Sequence, residues 1–159
     1  MKTPKVYLET TVFNFYFDTE RDAHNATIQL FKEIKEGIFE AYTSTYVIDE
    51  IKDAKEPKRS NMIDLIIKYN INVLNASDEA GDLANVYTES GMIPAKYRYD
   101  GLHIACAVIN DMEYIFSYNF KHINRQKTKV MSNYINVARG YKPIIIAHPQ
   151  EVVEYADNE

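Results

Sequence analysis

The chain has 159 residues, of which 46% are hydrophobic and 26% charged, a balance that excludes intrinsic disorder and leaves room for a real core in one domain, residues 1–159. Its single cysteine, Cys106, excludes an internal disulfide and fits a reducing compartment. The opening Met-Lys-Thr-Pro-Lys is not a signal-peptide pattern and no run approaches membrane-spanning length, so a cytoplasmic location with no membrane contact is the expectation. The net charge of −5 is unevenly spread, because residues 121–142 hold six basic residues and no acid. That contrast fits either a metal site beside a phosphate-binding surface or ordinary surface charge.

Val6-Tyr7-Leu8 is a short apolar run of β-formers, suited to a strand buried on both faces. It stops at Glu9, after which Thr10 and Thr11 can cap a helical turn. Ligands of open α/β sheets gather beyond the carboxyl ends of strands, so Glu9 is placed either to hold a cation or to be a solvated strand end. The aromatic run Phe13-Asn14-Phe15-Tyr16-Phe17 suits contact with a partner chain, or equally packing beneath a sheet.

Ala26 to Glu36 reads as an amphipathic helix on Ala26, Ile28, Leu30, Phe31 and Ile34, stopped by Gly37. Ile38–Thr43 predicts a second strand, and Ser44-Thr45 can cap a helix carrying Glu50. A charged loop, Lys55–Ser60, is expected to precede a helix over Met62–Tyr69, with a strand at Ile71–Leu74 after it. Ser77 with Asp78 and Glu79 opens the next helix, which ends near Gly91. Pro94 introduces the most apolar helix, about Ala95 to Asn110, whose apolar surface Asp100 interrupts. Tyr114–Ser117 is a strand, the basic stretch to Lys142 is part helix and part loop, Pro143–Ala147 is the last strand, and Pro149–Tyr155 a closing helix. The alternation predicts a parallel sheet covered by helices on both faces.

Glu9 ends a buried strand, Glu50 lies on the helix after the second strand and Asp100 on the most apolar helix, and acids are rarely buried without a partner. Converging carboxylates repel unless a divalent cation neutralises them, and Mg²⁺ or Mn²⁺ prefers oxygen ligands. Such an ion can activate water for phosphodiester cleavage. Solvated helix acids are the alternative.

These residues also carry a resemblance. Val6-Tyr7-Leu8-Glu9-Thr10-Thr11-Val12 resembles the opening strand of PIN domains, and Ser44 through Ile51 resembles the helix bearing the family's glutamate. Asp100-Gly101-Leu102-His103-Ile104-Ala105-Cys106-Ala107 is similar to the family's Asp-Ala-Leu-His-Ile-Ala-Ala-Ala helix. Ser117-Tyr118-Asn119-Phe120-Lys121-His122-Ile123 resembles a motif of one bacterial branch.

The resemblance implies a three-layer α/β/α sandwich with a central parallel sheet. It further implies a Mg²⁺- or Mn²⁺-dependent ribonuclease related to VapC toxins, usually dimeric and neutralised by a small antitoxin. Glu9, Glu50 and Asp100 become metal ligands, Asn119 takes the place of a fourth acid, and Thr11 sits beside metal or phosphate. Lys121, His122, Arg125, Lys127 and Lys129 are the candidates for holding the RNA backbone. Two departures weaken the site. Glu9 stands where Asp is usual, and Asn119 offers a carbonyl oxygen but no charge.

His103 is read as a packing histidine, with contact to the site as the alternative. Tyr118, Tyr134 and Tyr141 are candidates for base stacking, although most of the tyrosines are expected to be core and interface filler. A PIN domain that binds RNA or protein without cutting is the nearest rival. A phosphoacceptor module is a further rival, disfavoured because Glu9 replaces the Asp it needs.

Overall fold

The computed structural model describes residues 2–154. Five strands, β1 (Lys5–Leu8), β2 (Glu40–Ser44), β3 (Asn72–Leu74), β4 (Tyr114–Phe116) and β5 (Ile145–Ala147), form one sheet in the order β3-β2-β1-β4-β5. Every pairing is parallel, with Val6 opposite both Ala41 and Tyr114. Val6, Tyr7 and Leu8 have no exposed surface, because helices cover β1 on both faces in a three-layer α/β/α arrangement. The chain runs from β1 to β2 on one side and returns to β4 on the other. The crevice at the carboxyl ends of β1 and β4 is therefore the switch point at which such sheets bind ligands.

The helices are α1 (Thr10–Phe17), α2 (His24–Lys35), α3 (Thr45–Lys52), α4 (Lys58–Lys68), α5 (Asp78–Glu89), α6 (Arg98–Ile109), α7 (Gln126–Ala138) and α8 (Pro149–Val152). Ser44 and Ser77 cap α3 and α5, each accepting a backbone N–H three residues on. Gly37, at φ +80°, ends α2, and the Ile38 N–H closes that end on the Glu33 carbonyl, so β2 starts at Glu40 and not at Ile38. The α2 stripe buries Ala26, Leu30, Phe31 and Ile34 but leaves Ile28 exposed.

The expected charged loop 55–60 is instead partly helical. Helix α4 starts at Lys58, behind Pro57, and Glu56 accepts from both the N–H and the hydroxyl of Ser60. A 3-10 turn, Ala95–Tyr97, precedes α6. The closing helix ends at Val152, and its predicted last residue, Tyr155, lies outside the described residues. Among the described residues no helix is long and apolar enough to cross a membrane. The aromatic run lies on α1 and packs within the chain, Phe13 edge-on to Phe31 and Phe15 stacked on Tyr118.

Cys106 is fully enclosed in α6, and burial pushes its thiol up to about 12. We expect no reaction with Ellman's reagent at pH of about 8 in the native protein and one thiol per chain in guanidinium, where the core is open. Fast labelling of the folded protein would contradict this packing.

Candidate metal centre

Glu9 is the residue at which β1 becomes α1. Its N–H still donates to the Phe116 carbonyl in the manner of a strand, while its own carbonyl accepts from Val12 as a helix N-cap. The predicted caps, Thr10 and Thr11, are instead the first two helical residues, and both spend their hydroxyls on acids. Thr11 Oγ1 donates to Glu9 Oε1 at 2.6 Å, and Thr10 Oγ1 donates to Glu50 Oε1 at 2.6 Å. Ser117, the first residue beyond β4, gives Glu9 Oε1 a second hydroxyl at 2.6 Å. Glu9 is 3% exposed, and burial raises its carboxyl above the usual range against the pull of His103 and these hydroxyls.

Glu50 reaches the same place from α3 and keeps a third of its side chain in solvent. A cleft lined by Asp49, Glu50, Asp53 and Tyr99 opens there. His103, fully buried on α6, bonds Glu50 Oε1 through Nε2 and the Tyr7 hydroxyl through Nδ1 at 2.7 Å, and that hydroxyl also meets Ser44 Oγ at 2.6 Å. Burial pulls the His103 pKa down, but the Glu50 carboxylate more than offsets it, and the net shift is upward. On Glu50 the same bond outweighs burial, and the net shift is downward. Both directions describe an imidazolium–carboxylate pair.

Ligand atoms of Glu9, Glu50 and His103 lie within 4.8 Å of one another, the spacing of a group able to hold a metal ion. His103 has both ring nitrogens engaged, so the free donors of the trio are carboxylate oxygens. Among the described residues, the side-chain hydrogen bonds to the two glutamates all fall on Oε1. That donor set suits a hard divalent cation.

Asp100 lies outside this trio, in the first turn of α6, close enough to feel the charges of His103, His122 and Glu50. Burial raises its pKa against the pull of His103 and His122, and the Asn119 side chain hydrogen-bonds it. Asn119 Oδ1, the oxygen it could offer a cation, accepts the His122 N–H at 3.0 Å.

Of the basic candidates, Lys121 and Lys127 are exposed, whereas Lys129 is half-buried. Arg125 holds the fold instead, donating from Nε to Thr128 and from Nη2 to the Met92 carbonyl. His122 is buried against Tyr97, ring centroids 4.2 Å apart, with both ring nitrogens unpartnered among the described residues. Burial lowers its pKa against the pull of Asp100, and Arg125 and Lys121 add to the fall.

Tyr118 is 4% exposed and so offers no face for stacking, while Tyr134 is 80% exposed on α7. Sequence reasoning passed over Tyr7, Thr10 and Ser117. For His103, the i,i+3 spacing from Asp100 was the available signal.

No family profile matches the sequence, and no curated protein does. Solved structures do match. VapBC2 from Rickettsia felis, bound to a DNA fragment from their promoter, aligns with a TM-score of 0.55 at 14% identity over 89% of this chain and 96% of that one. VapC20 from Mycobacterium tuberculosis, a sarcin–ricin loop cleaving toxin, aligns at 0.52 and 10% identity over 88% and 98%. The likeness is one of architecture: the chain has a PIN-like fold of the VapC type.

Proposed function

We propose that the protein is a metal-dependent endoribonuclease acting as the toxin of a toxin–antitoxin pair. The observation that carries this reading is the convergence of Glu9 and Glu50 at the switch point of a VapC-type sheet. One structural neighbour is a VapBC complex and the other a toxin that cleaves the sarcin–ricin loop, which supports an antitoxin partner and an RNA substrate here. A homodimer is the assembly the sequence resemblance implies.

Glu9 and Glu50 would hold Mg²⁺ or Mn²⁺, with Asp100 as the acid on the facing helix. When bound, the ion supplies charge stabilisation at the phosphate and an acidified water. Asp100, its pKa raised by burial, takes the proton of the attacking water at its carboxylate. The water oxygen bonds to phosphorus, the P–O bond to the leaving sugar oxygen breaks, and that oxygen takes a proton from bulk water while Asp100 returns its own to solvent. Thr10, Thr11 and Ser117 fix the glutamates, His103 balances the charge of Glu50, and Lys121 and Lys127 hold backbone phosphates.

A second reading, a PIN-like domain that binds RNA or a protein partner without cutting, is favoured by Asn119, whose carbonyl is turned to its own loop. Cleavage of a mixed RNA panel with Mg²⁺ or Mn²⁺ separates the two, using wild type, Asp100→Asn and an EDTA control. The nuclease reading expects metal-dependent cutting that falls about a hundredfold or more in Asp100→Asn. No cutting by wild type, together with no Mn²⁺ binding in calorimetry, would leave only the binding reading.

A further inference from the structure

Two residues beyond Tyr118, and three beyond Ser117, which bonds Glu9, Phe120 is 53% exposed. Single exposed apolar rings are common on protein surfaces. This one is set apart by what holds it. Its ring meets His148 at 5.4 Å and 75°, and Tyr118 at 6.4 Å and 66°. Tyr118 in turn lies flat on Phe15, centroids 4.1 Å apart at 7°, and the Arg21 guanidinium stands 4.6 Å from the far partner, Phe15. Both contacts are steep and not stacked, and about half of the residue stays in solvent.

The segment carrying Phe120 is tied to Glu9 by two relays. Thr11 Oγ1 accepts the Tyr118 N–H at 2.8 Å while donating to Glu9, and Ser117 Oγ accepts the Asn119 N–H at 2.9 Å while donating to the same oxygen. The Phe120 N–H closes the turn on the Tyr118 carbonyl. The next residue, Lys121, is exposed and cationic. A fixed aromatic face, an adjacent cation and a short rigid path to an acid cluster are together the elements of a nucleotide subsite.

We propose that Phe120, backed by His148 and the Tyr118–Phe15 stack, is a stacking platform for an unpaired base next to the phosphodiester held at Glu9 and Glu50, with Lys121 on the adjoining phosphate. This rests on the ribonuclease reading and assigns that site a base-binding residue. The nucleotide at the platform must be unstacked, so the substrate is a single strand or loop and not a continuous duplex. Phenylalanine carries no hydrogen-bonding edge, so the platform tolerates any base.

The test uses the full chain carrying Asp100→Asn, so that RNA survives in Mg²⁺, with Phe120→Ala and Phe120→Trp added to it. Affinity for a short single-stranded RNA and for the same sequence as a duplex is read by anisotropy. A 2-aminopurine placed at successive positions reports stacking as quenching. Phe120→Ala is expected to lose about ten- to a hundredfold in single-strand affinity and the quenching at one position. Phe120→Trp is expected to retain both, and duplex affinity to move by less than about twofold.

Unchanged single-strand affinity in Phe120→Ala, failure of Trp to rescue, or an equal loss on duplex would each overturn the platform. Cleavage by the otherwise wild-type chain is read in parallel. Cutting that persists while Phe120→Ala binds normally sinks the platform alone, whereas absence of both binding and cutting sinks it with the nuclease reading. Both variants are melted alongside the parent, and the Trp variant keeps the comparison decisive if Ala unfolds.

Discussion

Glu9→Gln is expected to lose metal-dependent cleavage by at least about a hundredfold while melting at the same temperature as wild type or higher. The loss follows because even an outer-shell partner of a metal site is worth about 10–100-fold, and in the proposed site Glu9 would touch the ion itself. The stability follows from burial. Glu9 is enclosed, its carboxyl is held above the ordinary value of 4.5, and so its ionised form destabilises the fold. Gln keeps an oxygen for Thr11 and Ser117 without that charge. The advantage of Gln is absent below 4.5, where both states of wild type are protonated, and grows as pH rises towards the raised folded value.

Added Mn²⁺ reverses the order. At a hundred times its Kd an ion stabilises wild type by about 2.7 kcal/mol, or roughly 5–11 °C in a chain of this size. Glu9→Gln should gain little at the same concentration. Scanning calorimetry of both proteins with and without Mn²⁺ is the check, and an equal gain in the Gln variant would place the ion elsewhere.

The layout of the fold was legible because its signals are local. Ser44 and Ser77 are caps by virtue of a hydroxyl and the chain beside it, and Val6-Tyr7-Leu8 is buried on both faces because three consecutive apolar residues leave no polar side. Where two local signals competed, boundaries moved. Gly37 takes the Ile38 N–H for the end of α2, and Glu56 turns a charged stretch into the first turn of α4.

The site was only half legible. That Glu9, Glu50 and Asp100 stood out as acids was a matter of composition. Which of them converge, and which hydroxyls and imidazole hold them, depends on three elements meeting at the carboxyl end of the central strand. The spacing from Asp100 hints that His103 nears the site, but nothing in the sequence pairs it with Glu50, 53 residues away. Likewise Tyr118 and Phe120 differ by one turn of a loop, and only the folded loop decides that the tyrosine is covered and the phenylalanine open.

That imidazole carries the second large effect. His103→Leu fills a similar volume but removes the partner of Glu50 Oε1 and of the Tyr7 hydroxyl. Breaking a buried ion pair from one side costs about 3–5 kcal/mol, and the low end applies because Glu50 keeps solvent on one side and Thr10 and Ser44 still serve the orphaned atoms. A loss of about 3 kcal/mol lowers the melting point by roughly 6–12 °C.

The sign of its pH dependence separates this pair from ordinary packing. His103 is raised, so its contribution is complete below the ordinary 6.5 and is lost as pH rises through the folded value. Glu50 is lowered, so its contribution is complete above the ordinary 4.5 and is lost as pH falls through the folded value. The gap between wild type and His103→Leu is therefore widest between 4.5 and 6.5 and narrows on both sides. Urea unfolding of both proteins at pH of about 5.5 and about 9 measures it. A gap of equal size at both would mean that His103 stabilises by shape alone, with no charge shared with Glu50.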